Sequence, residues 1–396
     1  MRKFASLSLA SLILLSPIIA KADTASDIAA YNAALDKGDN DQALKLLKVA
    51  LENAKSLPPD NAKLAMIAYE NAYYYAVFED YNTAYSAIKI VDNAFKLKPE
   101  LQNGSDIDEY NFLYALIKFI ADDKSNSDKK SVQILNKATE KIKNKERIDY
   151  LFFKSNMMLN YHYLKAYDWN NLARGAQRQI DALEKTQDEK LDNYRVLAYL
   201  NRGQVKFVRE IRGGIHVTTG THITGKKHSD WEDALTDIAL AEKYYGKPKS
   251  IDDASAAGLD GWYGMIKTYA ITYQPSNKTN DTIKNINKSV GLSEDGFFSN
   301  VRKEECDKIY DDDIGRRISY DSFMVAHNSF GYVRAVFDID DQSIIRNVRI
   351  LSSFPNDGFG DNVVAGIKGT KINKLKPGTP KECLKDYLLG VQFVTR

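Results

Sequence analysis

Little in this chain points to catalysis. It has no Gly-x-Ser-x-Gly elbow, no His-Glu-x-x-His, no Walker loop and no dinucleotide glycine pattern, which excludes the commonest hydrolase, metalloprotease and nucleotide sites. No catalytic residue and no cofactor is expected. An excess of one charge is missing too. The 55 Lys and Arg balance 53 Asp and Glu, and a net +2 predicts no nucleic-acid partner. Proline is sparse, nine in 396 residues, so a long proline-rich spacer is ruled out. Cysteine is limited to Cys306 and Cys383. After the first twenty or so residues no segment is apolar enough to cross a membrane.

What the first residues hold is an export signal. Arg2 and Lys3 precede an apolar run, Ala5 to Ala20, and Ala20-Lys21-Ala22 fits a small-x-small cleavage site. Residues 1–22 are read as a cleaved signal peptide, which places the mature chain in a periplasm. An uncleaved inner-membrane anchor is the alternative, and the run is slightly short for it. No cysteine near the site offers a lipid anchor.

Residues 23–292 are rich in Ala, Leu, Lys, Asp and Tyr. A pattern recurs: Asp, often an aromatic, two residues, then a small or apolar one. It stands at Asp39-Asn40-x-x-Ala43, Asp80-Tyr81-x-x-Ala84, Asp168-Trp169-x-x-Leu172 and Asp230-Trp231-x-x-Ala234, with a degenerate copy at Ser127-Asp128-x-x-Ser131. The Asp can cap a helix, and the small residue lets two helices approach. Successive steps of about 41 to 47 residues, with a longer last step from Asp168 to Asp230, suit stacked helix pairs. The segment Ala72 to Pro99, with Tyr75 nine residues before Ala84, resembles a tetratricopeptide repeat. That resemblance implies an α-α solenoid with a concave groove for protein or peptide partners. Asn71, Tyr74, Asn160 and Tyr163 are candidates to face it; ordinary packing is the alternative for each tyrosine.

Residues 213–229, GGIHVTTGTHITGKKHS, interrupt this array. Ile215, Val217 and Thr219 alternate, as do Thr221 and Ile223, so a β-hairpin is expected. It carries His216, His222 and His228, a conceivable metal set whose spacing matches no compact zinc signature. A solvated hairpin without metal is the expectation.

The tail follows a linker at 293–320. Val333, Ala335, Phe337 and Ile339 alternate with Tyr332, Arg334 and Asp338, the period of a half-buried strand. Asp340 to Ser343 is a polar turn, and Ile344, Val348 and Ile350 share one parity in a returning strand. Asp361 is placed to cap a short helix bearing Val363, Val364 and Ile367. Leu389, Val391 and Phe393 form a last strand. With Gly331-Tyr332-Val333, Asn347 to Ser353 and Pro377, residues 321–396 resemble the C-terminal domain of TonB, the periplasmic arm that engages outer-membrane receptors.

The resemblance implies a small α+β domain that binds an extended peptide by strand addition along its last strand. By that carry-over the edge is Leu389 to Thr395. Leu389, Val391 and Phe393 would face the core, and Gln392 and Val394 the guest or solvent. An edge-to-edge homodimer is a further outcome. Cys306 and Cys383 flank this region and could pair in an oxidising compartment, or stay as two free thiols. The reading is a periplasmic scaffold of a Gram-negative envelope, accessory to TonB-dependent transport. The alternative is an envelope enzyme, or a metal- or solute-binding protein, using the array or the histidine hairpin.

Overall fold

In a computed structural model the chain is mainly helical and ends in a small antiparallel sheet. The structure describes residues 24–121, 128–143, 145, 150–215, 230–274, 278–292, 297–298, 306, 314, 318, 330–355, 358–372 and 375–393. The expected signal peptide lies outside the described residues, as do His216, His222, His228, Val394 and Thr395. So do nearly all residues of the expected linker.

The chain divides into two compact units, the first ending at His162 and the second beginning at Tyr163. In the first, α1 (Thr24–Asp36), α2 (Asn40–Ala54), α3 (Ala62–Val77), α4 (Tyr81–Leu97), α5 (Ile107–Ala121) and α6 (Lys129–Ile142) each pack on the next. Most of α7 (Tyr150–Lys165) also belongs here. The packed faces are built from alanine and aliphatic side chains at helical spacing. Ala43, Leu47, Ala50 and Ala54 on α2, and Ala84, Ala87, Ile88, Val91 and Ala94 on α4, are all buried.

Three interhelical turns share one conformation. Gly38, Glu79 and Tyr167 have φ of 74°, 64° and 53°, left-handed in each case. The next residue is the cap: Asp39 (φ −84°, ψ 79°), Asp80 (−85°, 72°) and Asp168 (−84°, 74°). Each Asp carboxylate accepts from the backbone N–H three residues on, at Gln42, Thr83 and Asn171. Each Asp N–H donates back to a carbonyl five residues earlier, at Ala34, Tyr75 and Tyr163. A helix C-terminal motif thus runs straight into an N-cap, satisfying orphan groups of both helices within four residues. The degenerate copy needs a correction: Asp128, not Ser127, caps α6, by accepting from Ser131 N–H. The buried position four residues after the cap is therefore Val132.

The second unit contains α8 (Trp169–Leu183), α9 (Asp192–Ile215), α10 (Asp230–Tyr245), α11 (Ala254–Tyr273) and α12 (Thr279–Val290). It also contains β1 (Gly331–Ile339), β2 (Ile345–Phe354), α13 (Phe359–Ile367) and β3 (Tyr387–Phe393). Helix α9 runs on to Ile215, so the expected hairpin does not begin at Gly213; residues 216–229 are not described. The three strands are antiparallel in the order β2-β1-β3. One face of the sheet packs Val333, Ala335, Phe337, Val391 and Phe393 against Phe359, Val363 and Ile367 of α13. Burying each such large apolar side chain is worth about 1.5–3 kcal/mol. Cys306 and Cys383 lie in the same core and are joined by a disulfide, S–S 1.99 Å.

Three expectations for the tail change. The strand β1 is buried on both faces, not one, because α11 covers the face that carries Tyr332, Arg334 and Val336. In β2 the core residue is Ile345 rather than Ile344, since Asn347 (φ 49°) adds a residue opposite Val336–Asp338 and flips the parity. The cap of α13 is Gly358 (φ 85°), and Asp361 stands within the first turn instead.

Candidate functional site

The sheet has two outer strands, and they differ. On β2 the outer edge is partly taken: Ile345 N–H donates to Thr370 O (2.8 Å), Gly369 N–H to Ile345 O (2.9 Å), and Ile372 N–H to Ser343 O (2.7 Å). On β3, β1 occupies one edge, and among the described residues no strand pairs with the other. Val391 and Phe393 are buried and Leu389 packs half-buried on the same core, while Gly390 and Gln392 are exposed. The strand is anchored at its start by the Cys306–Cys383 bridge and by Tyr387 packing on Phe337 (5.4 Å).

Helix α11 holds the sheet from its second face. Two glycines make the approach. A Cβ on Gly261 would overlap the Phe354 ring, and one on Gly264 would overlap the Tyr332 ring. Any larger residue would push the helix off the sheet. Between the glycines' face and the strands lies a charged cluster. Arg334 Nε and Nη2 donate to the two carboxylate oxygens of Asp260 at 2.8 and 2.6 Å, and Tyr332 Oη donates to the same group at 3.1 Å. Asp260 is buried, so the bidentate pair works in a low-dielectric setting.

Glu242, on α10, is fully buried beside this pair, and among the described residues its Oε1 has no hydrogen-bond partner. Burial first, and then Asp260, hold its carboxyl protonated well above the usual glutamate range, with Arg334 opposing. Lys267, two turns after Asp260 on α11, is half-buried and pushed down by burial and by Arg334, with Asp260 opposing. The Tyr263 hydroxyl donates to Asn287 Oδ1 (2.7 Å) and ties α11 to α12. At the far end of the strands the Asp338 carboxylate accepts from Asn347 Nδ2 (2.8 Å), Asp386 N–H (3.0 Å) and Lys385 Nζ (3.2 Å).

The groove candidates of the helical part are placed otherwise than expected. Asn71 is fully buried, and its Nδ2 donates to Leu47 O (3.0 Å) and Ile67 O (2.9 Å), so it joins α2 to α3. Asn160 and Tyr163 are 1% and 5% exposed, which removes them from any groove surface. Only Tyr74 is half-buried; its ring stands edge-on to Tyr31 at 5.4 Å. Among the described residues no cluster of His, Cys, Asp or Glu could hold a metal ion, and no helix is long and apolar enough to span a membrane.

The residues that sequence reasoning missed are Asp260, Glu242, Lys267, Gly261 and Gly264. The glycines at 261 and 264 did leave a trace, a three-residue spacing along one helix, which puts both on one face open to close approach. The charges left none. No protein-family model matches the chain, and no curated protein matches its sequence.

Proposed function

We propose that this protein is a periplasmic interaction scaffold, accessory to TonB-dependent outer-membrane transport, which binds an extended peptide by strand addition along β3. One observation carries the reading. β3 is an outer strand whose apolar side chains are spent on the core, whereas its second edge has no strand on it among the described residues. A guest strand would add its main-chain hydrogen bonds there, and specificity would come from side chains flanking the edge. The likeness of residues 321–396 to the TonB C-terminal domain supports the same use.

The helical part would serve as a second contact surface. The three matching turns support a reading as repeated, tetratricopeptide-like helix pairs. No catalytic role is assigned to either part.

The test is hydrogen exchange on the full chain with extended peptides that copy the N-terminal segments of outer-membrane receptors. Binding should slow exchange of amides in residues 388–392. Gln392→Pro should abolish binding, because proline removes an edge donor, with the circular dichroism spectrum unchanged. Protection confined to α1–α7 would move the function to the helices. Binding that survives the proline would remove strand addition.

A further inference from the structure

The seam between β3 and α11 holds a guanidinium that is only partly spent. Arg334 spends Nε and Nη2 on Asp260, and among the described residues its Nη1 makes no hydrogen bond. In a guanidinium bound through that pair of atoms, Nη1 lies on the side away from the carboxylate. Here that side is β3: a Cβ on Gly390 would meet Nη1 at 3.3 Å and Tyr332 Oη at 3.1 Å. Gly390 is the register partner of Arg334 and is itself exposed. The strand's missing side chain is thus what leaves Nη1 open toward solvent, and the Arg334 side chain retains 19% exposure.

We propose that Arg334 Nη1, reached through the gap at Gly390, forms a carboxylate anchor that selects an acidic extended peptide at the β3 edge. The inference rests on strand addition at β3 and adds the partner's chemistry. A guest carboxylate would give Nη1 the partner it lacks among the described residues. A guanidinium N–H is a directed, charged donor, which suits a carboxylate better than an apolar side chain. The carboxylate could be an Asp or Glu side chain or a peptide C-terminus.

The experiment uses the full chain and fluorescent octapeptides of alternating Thr and Val. A single Asp, or Asn as its control, is walked along a C-terminally amidated peptide. A parallel set has a free C-terminus and no acidic residue. The expected result is one Asp position binding about tenfold tighter than Asn, as for a charge-assisted hydrogen bond. The preference should weaken in Gly390→Ala and vanish in Gly390→Val, which close the gap over Nη1 and leave both members of the Arg334–Asp260 pair in the chain. A tenfold preference for the free over the amidated C-terminus, lost in the same variants, would assign the anchor to a terminal carboxylate. Equal binding of all peptides, with slowed exchange at residues 388–392, would overturn the anchor and leave strand addition standing. An Asp preference that both variants retain would overturn it as well. Absence of any binding would overturn strand addition and the anchor together.

Discussion

At the scale of single residues, the charged cluster under the sheet decides most. Arg334 and Asp260 form a pair whose carboxylate is buried, so removing one partner strands the other charge. Asp260→Leu or Arg334→Met alone should each cost about 3–5 kcal/mol in urea unfolding, and the double variant should recover most of the loss. Additive losses in the double variant would show that the pair does not act as a unit. Glu242 sets a pH dependence. Its pKa in the folded state lies well above the ordinary value of 4.5, so between the two the folded protein binds the proton and the unfolded chain does not. Stability from this group is full below about pH 4.5 and falls as pH rises toward the folded value. Glu242→Gln, which keeps the shape and cannot ionise, should flatten that decline and raise the melting temperature at pH 8 more than at pH 5. Equal shifts at both pH values would count against the assignment. None of this was legible in the sequence. Arg334 occupied the polar phase of a half-buried strand, and alternation cannot tell solvent from a covering helix brought in from far upstream.

Among the elements, the capped turns were the most legible. The spacing of Asp39, Asp80 and Asp168 gave both the helix starts and their common role, because capping is local chemistry that needs no tertiary partner. The position before the cap was not legible, since glycine stands there once, and glutamate and tyrosine elsewhere. Each non-glycine residue is held at positive φ at some cost. Tyr167 is 73% exposed, so Tyr167→Gly should stabilise the chain by up to about 1 kcal/mol, whereas Asp168→Ala should cost about 1 kcal/mol. Thermal unfolding of the two variants, moving in opposite directions, is the check; a loss in both would mean the tyrosine ring contributes more than its backbone costs. The docking of α11 depends on the other special glycines. Gly264→Ala places a methyl carbon within the Tyr332 ring, so the sheet and helix must separate. Faster proteolysis in the β-strands with the first unit left intact is the expected result. The parity of β2 escaped the sequence for a related reason. One asparagine at φ 49° adds a residue, and nothing in the hydrophobic pattern announces a bulge.

For the molecule as a whole, the tail was expected to stand apart beyond a linker at 293–320, yet the compact unit that holds the sheet begins at Tyr163. The sequence could not show this, because the contact that joins α11 to the strands is made by what is missing at Gly261 and Gly264. The consequence is thermodynamic. A sheet of three short strands buries too little to be independently stable by a wide margin, and here it shares its second face with a helix. Its other support is covalent. The Cys306–Cys383 bridge spans 77 residues, and on the chain-entropy view closing such a loop is worth up to about 4 kcal/mol, all of it within the second unit. Calorimetry should therefore resolve two transitions, of which reductant lowers only one. That same transition should be lowered by Gly264→Ala, since the bridge and the glycine contact hold the same sheet. If reduction instead moved both transitions, or split the lowered one so that the strands melted before α8–α12, the second unit would not be a single cooperative body. The β3 edge would then be presented by a domain only loosely held to its helix.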